Sequence, residues 1–304
     1  MTFRTIGIIF LIAVIGFTLA ISSCGGEGSI IGPPNGKDKV ITIDLGGGIT
    51  MNLIEAGTFT MGKGDQSDSF MNNATSHQVT LTKDFYMGIY EITQEQFKAV
   101  VGSVTGNEPS NFTGAKHPVE QVTWYDAVEF CNLLSEKMGL TKVYTITGRN
   151  PAGTGYPIIS ATVKADLSKD GFRLPTEAEW EYACRAGTTT AWNYGSAADD
   201  DYMWYADNSG STTHPVGTTT GEKASGGNKW GLYDMHGNVW EWCWDWYGTY
   251  ASGAQTNPQG ADPDTYRVVR GGSWGDSAGG TRSAYRSYYI PDYGSNRLGF
   301  RVVR

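Results

Sequence analysis

The sequence predicts a single α+β domain with few regular elements, and three observations support this prediction. Three helices carry clear start signals, the strands between them are short, and the remaining loops are rich in residues of three types: 41 Gly, 17 Tyr and 10 Trp. From about Val40 to Arg304, no Pro/Gly/Ser-rich linker is long enough to separate two domains. So much chain outside helices and strands predicts loops held by polar networks, buried aromatic side chains or metal.

The three helices are predicted from their capping signals. The first runs from a capping box at Thr93–Gln96 to Gly102, where glycine ends the helical pattern. The second runs from Thr123 to Gly139, with apolar residues at helical spacing. The third begins with a capping box at Thr176–Glu179, directly after a proline, and ends at Gly187.

Short strands are predicted where apolar and polar residues alternate. Val79–Leu81 and Arg267–Arg270 show this pattern, and Phe300–Val303 is predicted to close the domain as a terminal strand. These segments are short enough to leave most of the chain in loops.

The charge balance excludes one class of partner. The chain carries 23 Lys+Arg against 31 Asp+Glu, which gives a formal charge of −8. Because this charge repels phosphate and no Lys/Arg run offers a local exception, nucleic acid is excluded as a partner. The same balance is compatible with cation binding.

The first 23 residues are predicted to be a lipoprotein signal peptide. An apolar stretch follows Arg4 and leads into Ile21-Ser22-Ser23-Cys24, which resembles the bacterial lipobox. Cleavage before Cys24 would let that residue carry the acyl chains that hold the protein on a membrane. The alternative is a retained anchor helix, since the apolar stretch almost reaches membrane-spanning length. The expected location is the bacterial cell envelope, lipid-anchored and either periplasmic or surface-exposed.

A flexible tether is predicted over residues 24–39, ahead of the folded domain at 40–304. The segment from Gly25 to Gly36 is rich in Gly, Pro and Ser and has no apolar period, so it cannot contribute to a core. Such a tether would lift the domain away from the lipid headgroups.

Cysteine and histidine patterns exclude several enzyme classes. If Cys24 is lipidated, Cys131, Cys184 and Cys243 remain, so at most one disulfide can form within the domain, and their pairing stays open. The four histidines are scattered, and neither a zinc-binding spacing nor Gly-x-Ser-x-Gly occurs. Zinc hydrolase and serine hydrolase activities therefore lack support.

Seven ordered sequence blocks carry a resemblance to a known family. They are Gly57–Gly62, Tyr90–Gln94, Pro118–Trp124, Arg173–Tyr182, Gly231–Trp242, Arg270–Trp274 and Leu298–Arg301. In this order they resemble the formylglycine-generating enzyme family, also called the sulfatase-modifying factor domain, from about Ile41 to Arg304. The resemblance implies a variant C-type-lectin-like α+β fold with little regular structure. Family enzymes use oxygen and copper to oxidise a cysteine of a client sulfatase to formylglycine.

The resemblance weakens at the expected copper site. In family enzymes two cysteines, five residues apart around an Arg-Ser-Tyr core, bind Cu(I), a soft metal that prefers thiolates. Aligning Arg286-Ser287-Tyr288 with that core places Ala284 and Tyr289 at the cysteine positions. Neither side chain is a suitable Cu(I) ligand, so copper is not expected to bind. The superfamily's iron-dependent branch uses paired histidines and a preceding helical domain, and this chain has neither.

A structural calcium site is the metal centre that the resemblance still implies. Residue-by-residue matching gives the side chains of Asp234 and Glu241 and the carbonyls of Gly237 and Val239, which are all hard oxygen donors. The alternative is that the two carboxylates only stabilise a tight glycine turn. A weakly marked second site lies around Asn208 and Ser209.

These patterns lead to two functional hypotheses of different classes. The first is a non-catalytic module, anchored to a membrane, that binds protein, peptide or glycan in a groove lined by Arg282, Arg286, Ser287 and Tyr288. The second is a formylglycine-generating oxidase with an altered ligand set, drawn from Tyr288, Tyr289 and Cys243. A purely structural role at the cell envelope is a third alternative.

Overall fold

A computed structural model of the protein describes residues 29–31, 39–45, 47–63, 74–102, 109–153, 155–218 and 227–304. Residues 1–23 and Cys24, the predicted signal peptide and lipidation site, lie outside the described residues. Among the described residues, no helix is long and apolar enough to cross a membrane.

The three predicted helices are confirmed, together with the two predicted capping boxes. They are α1 (Gln94–Val101), α2 (Trp124–Lys137) and α3 (Glu177–Arg185). In each, a threonine side chain accepts a hydrogen bond from the backbone N–H three residues on, and that third residue's side chain bonds back to the threonine N–H. Because both partners lie within one turn, these signals are readable from sequence.

The strands form three small sheets and one hairpin. In chain order they are β1 (Ser29–Ile31), β2 (Val40–Asp44), β3 (Ile49–Ile54), β4 (Gly57–Met61), β5 (His77–Leu81), β6 (Phe85–Gly88), β7 (Tyr144–Asn150), β8 (Ser160–Ala165), β9 (Trp240–Trp246), β10 (Gln255–Thr256), β11 (Arg267–Arg270), β12 (Ser287–Tyr289) and β13 (Leu298–Gly299). The sheet orders are β1-β2-β3-β6, β10-β5-β4 and β12-β11-β9-β13, and β7 pairs with β8. The third sheet positions the C-terminal segment that contains the predicted site.

Two strand predictions are confirmed and one is wrong. Residues 79–81 lie in β5 and residues 267–270 form β11. The predicted strand at Phe300–Val303 is instead a segment whose backbone bonds are divided among several neighbours. The Phe300 carbonyl accepts from Ile92, the Val302 carbonyl from Gly88, and Val303 exchanges bonds with Arg173. The regular strand ends one residue earlier, with β13 parallel to β9.

The two larger apolar clusters of the core share strand β9. Trp240 and Trp242 belong to the larger cluster with the inner faces of α1 and α2, whereas Cys243 belongs to the cluster beneath α3. Buried ion pairs cross between elements, including Arg301 with Glu241 and Arg270 with Glu181. Polar networks and buried aromatic side chains therefore hold the loops, as expected from their length.

Part of the predicted tether pairs with the domain. Strand β1 lies antiparallel to β2, with Ser29 opposite Asp44 and Ile31 opposite Thr42. The backbone of Ser29–Ile31 thus continues the first sheet at its edge. The other residues from 24 to 38 lie outside the described residues, so the boundaries at 24 and 40 stay a prediction.

Candidate functional site

The two predicted copper positions are Ala284, which precedes β12, and Tyr289, which is the last residue of β12. Ala284 is buried, with 1% of its surface exposed. Tyr289 ends the strand, and its ring stacks on Tyr293 with the ring centroids 4.7 Å apart. The sequence contains no cysteine from residue 244 to 304. Neither aligned side chain offers the thiolate that Cu(I) prefers, so these residues do not fit the metal.

All the cysteines among the described residues are free thiols in the interior. Cys131 lies on α2, Cys184 on α3 and Cys243 on β9, and all three are buried. Burial raises the pKa of Cys184 to about 12 and raises the pKa of Cys131 and of Cys243 far above the usual range. Because the thiolate, and not the thiol, is the nucleophile and the metal ligand, these three buried thiols are unreactive.

The ligand set of the altered-site hypothesis is not assembled. Cys243 packs in the cluster beneath α3, whereas Tyr289 packs against the other cluster. Tyr288 lies on the surface with 43% of its area exposed. The three side chains therefore do not converge on one point.

The four residues of the predicted groove differ sharply in their environments. Arg286 is buried: its Nε and Nη2 donate to the two carboxylate oxygens of Glu177, and its Nη1 donates to the Gly248 carbonyl. Arg282 is half-buried, with its guanidinium carbon 5.5 Å from the Trp192 ring centre. Ser287 is half-buried in β12. Of these four residues, Tyr288 is the most exposed to solvent.

Tyr288 is part of a surface that sequence reasoning did not find. Its ring centre lies 4.3 Å from that of Tyr247 and 4.8 Å from that of Tyr266. We call Tyr247, Tyr266 and Tyr288 the tyrosine surface. It lies where β12 forms the edge of the third sheet. The three rings come from separate segments, so their proximity has no local sequence signal.

Three of the predicted calcium residues lie on a tight loop that leads into β9, and Glu241 is the second residue of that strand. Asp234 adopts a left-handed backbone with φ 55°, and Gly237 has φ 83°. A Cβ atom at Gly237 would lie 2.0 Å from the Trp204 carbonyl oxygen, so only glycine fits there. Asp234 and Val239 are buried, and Asp234 Oδ2 accepts a hydrogen bond from Gly217 N at 2.6 Å.

Glu241 is already engaged by other side chains of this chain. Its Oε1 accepts from Arg301 Nη2 at 2.6 Å, and its Oε2 accepts from Arg301 Nε at 2.6 Å and from Trp180 Nε1 at 2.7 Å. A cation bound by Glu241 would therefore compete with a two-point guanidinium contact. Asp234 fits a calcium ion better than Glu241 does. Among the described residues, no group of three or more His, Cys, Asp or Glu side chains is arranged to hold a metal ion.

A third carboxylate, Glu91, lies beside this loop and was missed by the sequence analysis. Its Oε2 accepts from Asn238 Nδ2 at 2.7 Å, and its Oε1 accepts from Val239 N at 3.1 Å. Burial, followed by the charges of Asp234 and Glu241, raises the pKa of Glu91 well above its usual range. The only sequence signal was its position in the Tyr90–Gln94 block. Glu91 therefore holds the loop from within the core.

The weakly marked second site is a hydrogen-bonded turn. Asn208 Oδ1 accepts from Tyr205 N, and its Nδ2 donates to the Met203 carbonyl. Ser209 Oγ donates to the Trp274 carbonyl. These polar groups are thus used to fix the loop, and cation binding here stays a prediction.

Comparison with known proteins gives one family. Residues 47–304 match the family model described as the sulfatase-modifying factor enzyme 1-like domain. The chain is 36% identical over 274 residues to "Chaperone protein LppX" of Paenibacillus barcinonensis, covering 83% of this chain and 88% of the relative. It is 29% identical over 291 residues to "Inactive C-alpha-formylglycine-generating enzyme 2" of Bos taurus, covering 86% of this chain and 90% of the relative.

A solved structure agrees with this result. "Treponema denticola variable protein 1" superposes with a TM-score of 0.72 at 37% identity, covering 84% of this chain and 95% of that one. The expected α+β, C-type-lectin-like fold with little regular structure is confirmed. The family includes inactive and non-enzymatic members as well as the oxidases. This chain belongs to the sulfatase-modifying factor enzyme 1-like, or formylglycine-generating enzyme, domain family.

Proposed function

We propose that this protein is a membrane-anchored, non-catalytic binding module whose ligand is an extended polypeptide segment. The observation that carries the proposal is the tyrosine surface at the edge of the third sheet, in a part of the chain that contains no cysteine. The ligand would lie along β12 and contact Tyr288.

The chemistry of this edge favours a polypeptide over a glycan. An edge strand can hydrogen-bond a further strand through its backbone, and adjoining side chains then supply specificity. Tyrosine provides a large contact area at low conformational cost and a hydroxyl for hydrogen bonding. The relative named as a chaperone also supports a protein ligand.

The buried thiols support the non-catalytic part of the proposal. Formylglycine formation in the family needs thiolate-held copper beside the substrate thiol, whereas the three described cysteines are interior and protonated. A relative of similar length carries the word inactive in its name. An oxidase with another ligand set would need solvent-accessible ligands on one face, which Cys243 and Tyr289 do not provide.

The location is proposed from the sequence of the N-terminal region. Removal of residues 1–23 and acylation of Cys24 would place the module at the bacterial cell envelope. Because Ser29 already pairs with β2, the five residues from Cys24 span at most about 17 Å when fully extended. The first sheet would then lie close to the membrane.

A binding experiment with an unfolded probe tests the proposal. Reduced, carboxymethylated α-lactalbumin, labelled with a fluorophore, is titrated with the protein and followed by anisotropy. We expect Tyr288→Ala to weaken binding about tenfold, as for a contact residue at an interface centre. Ile159→Ala is the matched control, because Ile159 is 50% exposed and lies next to β8 rather than β12. Equal affinity of wild type and Tyr288→Ala, or binding of envelope glycans without polypeptide binding, would overturn the proposal.

A further inference from the structure

A second feature lies beside the tyrosine surface, in a cavity of about 290 Å³. The first turn of α3 forms one wall, and the loop that follows β9 forms the other. Two glycines allow this loop to approach closely. A Cβ atom on Gly260 would lie 2.6 Å from the Asp245 Cβ, and one on Gly248 would lie 2.5 Å from the Ala261 Cβ. The cavity is thus built into the loop's conformation.

Among the described residues, Asp245 is the carboxylate of this cavity for which no ion pair is found. It lies on β9 among tryptophans, and 2% of its surface is exposed. Its Oδ2 accepts a hydrogen bond from Glu177 N at 2.8 Å, at the start of α3. Among the described residues, the structure records a hydrogen-bond donor for Oδ2 but none for Oδ1. A buried carboxyl group with one oxygen available to a cavity is a rare and costly arrangement.

Basic side chains also lie near the cavity. Arg286 lines it, but all three of its nitrogens already donate to Glu177 or Gly248. Arg267 reaches β9 from β11, with its guanidinium carbon 3.7 Å from the Trp124 ring centre and 3.5 Å from that of Trp246. After burial, the charge of Asp245 is the largest influence on the pKa of Arg267. His77 lines the cavity, and its ring centre lies 4.8 Å from that of Tyr250.

Two glutamates of α3 add negative charge near Asp245. After burial, the largest influence on its pKa is the charge of Glu177, and Glu179 on α3 acts in the same direction. Arg286 opposes them with a smaller effect. Burial and these carboxylates raise the pKa of Asp245 well above its usual range, and the same field attracts a cation.

We propose that this cavity binds a protonated primary amine, with the ammonium group on Asp245 Oδ1 and the alkyl chain along Trp246 and Met61. This inference rests on the proposed function and deepens it. The bound polypeptide would insert a lysine side chain here. Ammonium on carboxylate supplies the charge pairing that Asp245 lacks, and an aromatic wall favours a cation.

The position of the cavity fits a ligand that also covers the tyrosine surface. The guanidinium carbon of Arg286 lies 3.9 Å from the Tyr250 ring centre and 4.7 Å from that of Tyr247. Tyr250 lines the cavity, and Tyr247 belongs to the tyrosine surface. The Arg286 side chain therefore lies between the cavity and the tyrosine surface. Because only this one side chain separates them, a short peptide is long enough to contact both.

Binding of an amine is expected to release a proton. The empty cavity favours the neutral carboxyl of Asp245, whereas the ammonium favours the carboxylate, so the proton leaves to solvent when the amine binds. Affinity therefore rises with pH as the Asp245 carboxyl loses its proton, as long as the amine itself stays protonated. A purely structural Asp245 would show no such linkage.

The test uses small probes on the full chain, so that it does not depend on the polypeptide. Nα-acetyl-lysine amide is compared with Nα-acetyl-norleucine amide and with the Nε-acetylated lysine probe, by ligand-observed NMR at millimolar concentration. We expect the lysine probe alone to bind, and Asp245→Asn to weaken it at least tenfold. The asparagine keeps an oxygen for the Glu177 N–H. Asp44→Asn, an exposed carboxylate on β2, is the control.

Each outcome has a distinct meaning. No binding of the lysine probe, equal binding of the norleucine probe, or unchanged affinity in Asp245→Asn would overturn the amine site. A loss of lysine-probe binding in Asp245→Asn, with binding of a lysine-free unfolded probe unchanged, would support it. The proposed function is tested separately with Tyr288→Ala. This variant is expected to bind the unfolded polypeptide probe more weakly and the lysine probe as the wild type does.

Discussion

Arg286 and Glu177 form a buried, two-point ion pair between residues 109 positions apart in the chain. Nε lies 2.6 Å from Oε1, and Nη2 lies 2.8 Å from Oε2. The Tyr250 hydroxyl adds a third contact to Oε1 at 3.1 Å. The side chain predicted to line a peptide groove is therefore directed into the protein, where it joins α3 to the segment before β12.

The first prediction concerns the stability that this pair provides. Arg286→Ala leaves the buried Glu177 with only a 3.6 Å contact to Arg270 Nη1. Removing one member of a buried pair costs about 3–5 kcal/mol. Arg286→Lys is expected to recover only part of the loss, because an ammonium cannot make the two-point contact. Urea denaturation of the wild type and both variants measures these differences.

The double variant Arg286→Met with Glu177→Met is the control for this pair. Its loss of unfolding free energy is expected to be smaller than the sum of the losses in the two single variants, because both members of the pair are removed together. If Arg286→Ala is as stable as the wild type, the buried ion pair between Arg286 and Glu177 is contradicted.

The second prediction is a pH dependence that arises from Glu120. This side chain is fully buried, and its Oε1 accepts from Phe112 N at 2.8 Å. Its Oε2 has no hydrogen-bond partner among the described residues. Burial raises its pKa to about 7. Since the folded pKa lies above the unfolded one, this group stabilises the fold below about pH 4.5 and loses that contribution as pH rises through 7.

The measurement is the free energy of unfolding of wild type and Glu120→Gln between pH 5 and pH 8. Wild type is expected to lose up to about 3 kcal/mol relative to the variant across this range. Glu136→Gln is the control, because that carboxylate is 61% exposed. Parallel pH profiles of wild type and Glu120→Gln would contradict the prediction.

The third prediction concerns calcium at Asp234, Gly237, Val239 and Glu241. A ligand that binds only the folded state raises the melting temperature, so chelation is expected to lower it and added Ca²⁺ to restore it. Asp234→Asn is expected to remove this response, since Asp234 supplies the carboxylate that is not held by Arg301. Melting curves unchanged by chelator and by Ca²⁺ would exclude the site and leave Glu241 as a partner of Arg301 and Trp180.

The fourth prediction concerns the membrane anchor. Cys24→Ala is expected to move the protein from the membrane fraction to the soluble fraction, because the acyl chains can no longer be attached. Ser23→Ala keeps the cysteine and a small residue before it, so this variant is expected to stay with the membrane. Detergent partitioning of Cys24→Ala identical to wild type would contradict the lipobox interpretation.

Local signals explain which parts of the fold were predictable. Each helix begins with a threonine and a partner three residues on, so both members of the capping box are adjacent in sequence. Strand β9 was missed because it is buried on both faces from Trp240 to Cys243, and its residues do not alternate. The segment at 300–303 alternates but bonds to several neighbours, which no local pattern shows.

The candidate site was less predictable because its contacts join distant residues. Glu241 stood out as an oxygen donor, but its pairing with Arg301 crosses 60 residues. The tyrosine surface combines three segments between residues 247 and 288. Asp245 carried a usable signal, because it is one of two carboxylates in a strand that otherwise contains only Trp and Cys. Its cavity depends on glycines that approach it only in the folded chain.

The central claim is that this domain binds without oxidising, and mass spectrometry tests it most directly. A peptide with the pattern Cys-x-Pro-x-Arg is incubated with the protein, copper and oxygen, beside a copper-dependent enzyme of the family as positive control. We expect the cysteine to remain unchanged with this protein, because neither Ala284, Tyr289 nor the buried thiols can hold Cu(I) beside a substrate. Appearance of the formylglycine aldehyde would contradict the account and establish the protein as an oxidase.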